Sequence, residues 1–252
     1  MKIDAPSASH IPHLRSLWKE AFGDTDAFLD AFFSVAFSPD RCRCVWEDGR
    51  PVAALYWLDH TCNGEKYAYI YAVATRKSHR RQGLCHALMA HAHEDLTAAG
   101  YAGALLVPAT EALAQYYAAM GYHHCAARKV FTSLPGDTIE DLRPVSLEEY
   151  RTLRPLLLPL HSAEPGIVAM EFLSRFTTFY AGKRFLAAAQ RSDDHLYIPE
   201  YLGDPQAAPG ILTALGTSSG TFCAPGNDTP FAMLLPLKHS ATAPTYLPFA
   251  FD

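Results

Sequence analysis

Apolar residues between positions 11 and 37 recur at helical spacing: Leu14, Leu17, Trp18 and Phe22, then Phe28, Leu29, Phe32, Phe33 and Phe37. This predicts two helices broken at Gly23, with Asp24 or Thr25 accepting hydrogen bonds from the first amides of the second. Residues 41–46 and 51–58 read as strands joined across Asp48-Gly49, a pair suited to the positive φ angles of a tight hairpin, and Asn63-Gly64 predicts another. Over 65–75, Tyr67, Tyr69, Tyr71, Val73 and Thr75 alternate with Ala68, Ile70, Ala72 and Ala74, the period of a long central strand. A helix is predicted over 83–99, with Leu84, Leu88 and Leu96 on one side and Gly100 at its end. A short apolar strand at 102–107, a helix at 111–120 closed by Gly121, and a strand at 122–131 complete an ααβββαβαβ order.

After Leu134-Pro135-Gly136-Asp137 the pattern restarts, so the predicted organisation is a first domain over 1–135 and a second over 140–252. The second carries helical spacing near 147–157 and 168–180, strand-like runs at 184–189 and 195–201, a helix at 211–215 and extended pieces at 221–223 and 231–237. Prolines punctuate its remainder.

Composition narrows the class. Apolar residues make up 49% and charged residues 19% of 252, a globular balance rather than a disordered one. A net charge of -5 leaves no global basic footprint, so neither nucleic acid nor an anionic membrane is an expected partner and any anion site must be local. No apolar run reaches the ~20 residues of a membrane span, and the start lacks a signal-peptide stretch, which predicts a cytoplasmic protein. The six cysteines show no CxxC; Cys42 and Cys44 share a strand face but read as packed thiols. His91 and His93 diverge on a helix and His123 and His124 on a strand, so no metal is expected.

The chemistry concentrates where the central strand feeds a turn rich in arginine and glycine and then a helix. The first amides of a helix lack intrahelical acceptors and carry partial positive charge, which suits phosphate. Gly83 lets backbone approach a ligand oxygen, Arg80 and Arg81 add charge-assisted donors, and Gln82 adds a neutral one. Taken alone, a solvated basic turn would look the same.

The strand Tyr69-Ile70-Tyr71-Ala72-Val73-Ala74-Thr75 followed by Arg80-Arg81-Gln82-Gly83-Leu84-Cys85 resembles motif A of the GNAT superfamily, Arg/Gln-x-x-Gly-x-Gly/Ala. Tyr116-Tyr117-Ala118-Ala119-Met120-Gly121-Tyr122 resembles its motif B, an aromatic-Tyr-x-x-x-Gly-aromatic helix end. The resemblance covers residues 1–131 and departs at Cys85, which replaces a glycine or alanine, and at Lys77, which replaces a frequent proline. It implies an α/β (α+β) fold, a mixed and mostly antiparallel central sheet flanked by helices, with a smaller C-terminal α+β domain open to reading as a degenerate GNAT repeat.

The resemblance further implies an acetyl-CoA-dependent N-acetyltransferase acting by direct transfer on a primary amine of a small molecule or peptide. Backbone at Val73 and Thr75 would pair with the pantetheine arm, amides of Arg81, Gln82, Gly83, Leu84, Cys85 and His86 would meet the diphosphate, and Arg80 would set the turn. Tyr117 matches the family's proton donor to the departing thiolate, and Tyr116 reads as its core neighbour. Glu65, Asp59, His60 and Tyr69 remain candidate bases, with Glu65 taken as the catalytic partner. Trp18, Phe32, Trp57 and Tyr69 are candidates for the acceptor wall.

The apolar tail from Tyr246 to Asp252 reads as packing, with a cleft-entering carboxylate the other reading. The second half lacks the Arg-x-x-Gly turn and is not expected to bind CoA. A non-catalytic acyl-CoA sensor and an interaction scaffold are the competing functions; the acceptor and a homodimer stay open.

Overall fold

The structure is a computed structural model that describes residues 2–249. In chain order the elements are β1 Lys2–Asp4, α1 Ile11–Phe22, α2 Asp26–Ala31, β2 Cys42–Glu47, β3 Arg50–Cys62, β4 Glu65–Thr75, α3 Leu84–Ala98, β5 Gly103–Leu106, α4 Glu111–Ala118 and β6 His123–Ser133. They continue as β7 Leu142–Val145, α5 Leu147–Leu153, β8 Glu164–Pro165, α6 Ile167–Leu173, β9 Thr178–Gly182, β10 Phe185–Ser192, β11 His195–Gly203, α7 Ala208–Leu215, β12 Ser219–Pro225 and β13 Thr229–Pro236. No helix among the described residues is long and apolar enough to cross a membrane.

Contacts divide the chain into two compact units that are not consecutive stretches of sequence. The first holds the residues through His123 together with Pro165–Phe172 and Met233–Thr242; the second holds His124–Glu164, Leu173–Ala232 and the residues from Ala243 onward. The chain therefore enters each unit more than once. A linear break after residue 135 was the natural reading of the turn there, yet the strand before that turn already clusters with the second unit.

In the first unit the strands run β1-β2-β3-β4-β5, and Met233–Pro236 complete the sheet antiparallel to β5. The two hairpins form as their turn residues require: Asp48 and Gly49 have φ of 46° and 73°, Asn63 and Gly64 of 51° and 78°. Gly23, at φ 79°, closes α1, and the Thr25 side chain accepts from Phe28 N to start α2. The second helix then loosens into a π-helical turn over Phe32–Ala36.

Strand parity separates two layers. Trp18, Phe32, Tyr56 and Tyr71 pack together on one face, with Phe172 against Phe28 and Phe32. On the other face Trp57, Ala68, Ile70, Leu88, Met89, Ala92, Leu106 and Tyr117 belong to one buried cluster. This corrects the expectation for Trp57: it pairs with Ile70, one step out of phase with Tyr56, and so lies under α3 with the Arg43 guanidinium 5.2 Å from its ring rather than beside Trp18.

The second unit repeats this plan. Its order is β7-β9-β10-β11-β12-β6, with β11 and β12 parallel and joined through α7, as β4 and β5 are through α3. It is a second module with a mixed sheet of the same kind. Two expectations fail locally. The helix at 168–180 stops at Leu173, because Thr178–Gly182 are recruited into β9 between β7 and β10; residues 142–145, unassigned from sequence, form the edge strand β7. Short runs of this kind take their conformation from the sheet that accepts them.

His93 on α3 is packed rather than solvated, its Nε2 2.8 Å from the Tyr122 hydroxyl. Burial first, and His86 second, pull its pKa from the ordinary 6.5 down to about 4. The unfolded chain therefore binds the extra proton between those two values, and stability must fall as pH is lowered through that window. The thermal midpoint is expected to drop on such acidification, and His93→Gln to flatten the drop; an unchanged slope in the variant would show that the ring does not titrate there.

Candidate functional site

β4 is the element that makes a site. Its parallel ladder with β5 comprises Tyr67–Gly103, Ala68–Ala104 and Tyr69–Leu105, and goes no further. Among the described residues the β4–β5 pairing therefore ends one residue before Ile70. On its other edge β4 carries a bulge: Tyr71 opposes Tyr56 and Ala74 opposes Ala54, so that Ala72 and Val73 together face Leu55. Ala72 takes φ 49°, a left-handed conformation that costs an alanine about 1–2 kcal/mol. Strain at the point where two strands part is the kind of departure that accompanies ligand sites.

The strand ends in the basic turn, which is tied down at several points. Arg76 N donates to Val52 O at 2.8 Å, and its Nη1 to Glu20 Oε2 at 2.7 Å; Lys77 N donates to Glu20 Oε1 at 2.7 Å. These bonds, the Lys77 amide first, hold the Glu20 carboxyl below its usual range. His79 Nε2 lies 2.6 Å from Glu47 Oε2, and Gln82 Nε2 donates to Ser78 O at 3.4 Å. Gln82 thus braces the turn. Arg80 Nε donates to Thr75 O at 3.3 Å, which agrees with a turn-setting role for Arg80 and occupies a carbonyl expected to be open.

Beyond it, Arg81 and Gly83 both have positive φ, 64° and 75°, and a Cβ at Gly83 would meet nothing within 4 Å. Arg80, Arg81, Gln82 and Gly83 are exposed. The first helical bond of α3 runs from Ala87 N to Gly83 O at 3.1 Å, which leaves the amides of Leu84, Cys85 and His86 ahead of the ladder. No side chain caps this end and no acidic residue stands in its first turn. Open amides, two flanking guanidinium groups and an absent Cβ together fit a diphosphate.

Tyr117 on α4 shares the buried cluster with Ile70, the first residue past the ladder, and Leu106, the last of β5; Val73, Leu84 and Cys85 pack against the same cluster. Burial, and then the Cys85 thiol, push its phenol well above the ordinary value, so it keeps its proton. Tyr116 departs from its expected core role: its exposure is 38% against 8% for Tyr117, because the two point to different sides of α4. Its hydroxyl sits against the Cys85 thiol and holds down part of the rise that burial imposes on that thiol.

The structure brings Val73, Thr75, the turn, Cys85, His86 and Tyr117 to the parted end of β4, and leaves Glu65 at the other end. Eight residues separate Glu65 from Val73, about 26 Å along a strand. Glu65 there lies 3.8 Å from Lys238. Asp59 pairs with Arg41 at 3.3 Å and Tyr101 at 2.5 Å, and His60 is buried with Nδ1 3.3 Å from Leu58 O. Tyr69 lies closest to the bulge among the candidate bases, stacked on Tyr71 at 6.2 Å. The C-terminal carboxylate lies outside the described residues. Sequence reasoning missed Ala72 and Glu20: nothing in an Ala-Val-Ala run marks a bulge, and nothing on α1 marks the acid that reaches the turn.

A parallel strand pair that parts ahead of a bulge and leads to an open helix start is the setting in which the comparisons with known proteins are read. The chain has the GNAT-superfamily acetyltransferase fold. The family model for the acetyltransferase (GNAT) domain matches residues 2–125. A GCN5-related N-acetyltransferase from Kribbella flavida superposes with a TM-score of 0.71 at 15% identity, over 92% of this chain and 70% of that one. A putative acetyltransferase from Pyrococcus horikoshii gives 0.68 at 15% identity, over 97% and 94%. A tandem GNAT protein from the clavulanic acid biosynthesis pathway gives 0.58 at 12% identity, over 95% and 99%. No curated protein sequence matches the chain. The GNAT fold is typical of acetyl-CoA-dependent acyltransferases, and among the described residues no group of three or more His, Cys, Asp or Glu side chains is placed to hold a metal.

Removing Glu20 should loosen the GNAT turn without unfolding the module. Two bonds to a carboxylate that is partly solvated are worth about 1 kcal/mol here after discounting for exposure. Glu20→Ala is therefore expected to raise tryptic cleavage after Lys77, Arg80 and Arg81 about five-fold under conditions where the rest of the chain stays intact. Unchanged cleavage would mean that the turn is held by other contacts.

Proposed function

We propose that the chain transfers an acetyl group from acetyl-CoA directly to a primary amine. The observation that carries this reading is the parting of β4 from β5 at Tyr69, which leads along the strained bulge to the open start of α3. When bound, acetyl-CoA supplies an acyl group already activated as a thioester.

The amides of Leu84, Cys85 and His86, with Arg80 and Arg81 beside them, hold the diphosphate. The stretch of β4 past its ladder with β5 offers backbone partners to the amides of the pantetheine arm, and the Val73 region at the bulge polarises the acyl carbonyl. Tyr117 donates its proton to the departing thiolate, a role that suits a phenol whose surroundings keep it neutral. The rest of the rate comes from holding acyl group and amine together. Glu65 is too far along β4 to share these steps, so the amine must reach the site neutral or lose its proton to water or to a group nearer the bulge.

Two measurements test this. Acetyl-CoA should raise the thermal midpoint, and a screen of pooled amines should release free CoA thiol. Tyr117→Phe is expected to lower kcat by about 10²–10⁴-fold with KM for acetyl-CoA little changed. Absence of CoA binding would end the proposal. Binding without thiol release from any amine would favour the sensor reading, which the burial of Tyr117 and the remoteness of Glu65 already keep in view.

A further inference from the structure

Tyr117 stands at the end of α4, and the way that helix ends decides what lies against it. Gly121, at φ 93°, carries the chain out in a left-handed turn; Gly121 N donates to Ala118 O at 3.0 Å and Tyr122 N to Tyr117 O at 3.2 Å. Together these bonds are a common closure of helix ends, in which the residue after the glycine is brought back over the last turn. Tyr122 therefore packs edge-on against Tyr117, their ring centroids 5.9 Å apart at 61°. Tyr116 also meets Tyr117 edge-on, at 5.6 Å and 64°.

Helix closure accounts for the contact of rings but not for the hydroxyl on Tyr122. Tyr122 is 3% exposed, within the cluster that holds Leu88, Met89, Ala92 and Tyr117. A phenylalanine would fill the same place without a polar group to satisfy. The hydroxyl instead meets His93 Nε2 on α3 at 2.8 Å. Burial keeps the phenol protonated and holds the imidazole pKa down to about 4, so the bond joins two neutral groups. A satisfied polar pair inside an apolar cluster fixes orientation in a way that apolar contact alone does not.

α3 thus holds the end of α4 at two points. In its first turn the Cys85 thiol meets the Tyr116 hydroxyl; eight residues on, about 12 Å along a helix, His93 meets Tyr122. Tyr117 lies between these two tyrosines in sequence and touches both rings. The start of the same helix presents the amides assigned to the diphosphate. In an acyl-CoA the span from diphosphate to sulfur is set by the pantetheine arm, so a proton donor to that sulfur must stand at a set distance from the helix start. Ties from α3 to the neighbours of the donor meet that need.

We infer that Tyr122 and His93 are positioning residues: their hydroxyl–imidazole bond holds the Tyr117 phenol in register with α3, so that the helix which receives the diphosphate also sets where the departing thiolate finds its proton. The inference rests on the function proposed above and adds two residues that act through Tyr117 rather than on the substrates.

The test compares Tyr122→Phe, His93→Leu and His93→Gln in the full chain, with an amine that the pooled screen shows to be acetylated. Phe keeps the ring at 122 and removes only its hydroxyl, and Gln still offers a polar group to Tyr122. Rates are measured well below the thermal midpoint of each variant, with calorimetry of acetyl-CoA uptake as the check that the cofactor site is intact. Tyr122→Phe and His93→Leu are each expected to lower kcat about 10–100-fold with KM for acetyl-CoA little changed. Both are also expected to raise the solvent deuterium isotope effect on kcat, because proton delivery to sulfur becomes slow. His93→Gln is expected to recover most of kcat. A bond that serves stability alone would lower the thermal midpoint and leave kcat and the isotope effect as they are in the unaltered chain. That result, loss of acetyl-CoA uptake in the variants, or a His93→Gln as slow as His93→Leu would overturn the inference while the proposed function stands. If Tyr122→Phe or His93→Leu does not fold, the other against His93→Gln decides. An unaltered chain that acetylates no amine would end the proposed function and the inference with it.

Discussion

The candidate site is organised by the place where the parallel ladder between β4 and β5 stops. A buried strand edge normally finds another strand, because an N–H or C=O left alone away from water costs about as much as a lost hydrogen bond. The β4–β5 ladder ends at Tyr69, and β4 continues from there to the strained Ala72. A strand edge in that state is a preformed partner for an extended molecule with amides of its own. The protein holds this arrangement rigid by burying both faces: the rings of Trp18, Phe32, Tyr56 and Tyr71 on one side, the α3 cluster on the other.

Charge then supplies direction. The chain is acidic overall, yet the turn after β4 gathers cations beside the open start of a helix, so the attraction for an anion is local. Glu20 and Glu47 brace that turn from beneath, spending their charge on Arg76, Lys77 and His79 and leaving Arg80 and Arg81 exposed. The departures from the family motif take their places within this frame: Lys77 supplies the amide that Glu20 binds, and the Cys85 sulfur is turned toward Tyr116.

The second module keeps the same order of strands and helix around its parallel pair, with a different extent of pairing. Its parallel ladder runs from His195–Ser219 through Ile198–Phe222, Pro199 stands at its bulge, and Asp204 accepts from Gln206 N ahead of α7. Glu200, fully buried beside that bulge, is paired with Arg154.

The sequence by itself determined what depends on near neighbours in the chain. The hairpins at Asp48-Gly49 and Asn63-Gly64, the break at Gly23, the full extent of β4, and α3 to within a residue were legible because turn chemistry and periodicity act over a few positions. The basic turn before α3 and the place of Tyr117 near the end of α4 were legible through the motifs Arg80 to Cys85 and Tyr117 to Gly121. Only the tertiary structure decided where β4 and β5 part, that Ala72 takes the bulge, that Trp57 lies under α3, that Glu65 stands far from the site, and that Met233–Pro236 close the first sheet. Those outcomes depend on which strand lies beside which, over separations of tens to more than a hundred residues, and no local pattern encodes the register of a ladder whose partner is that distant.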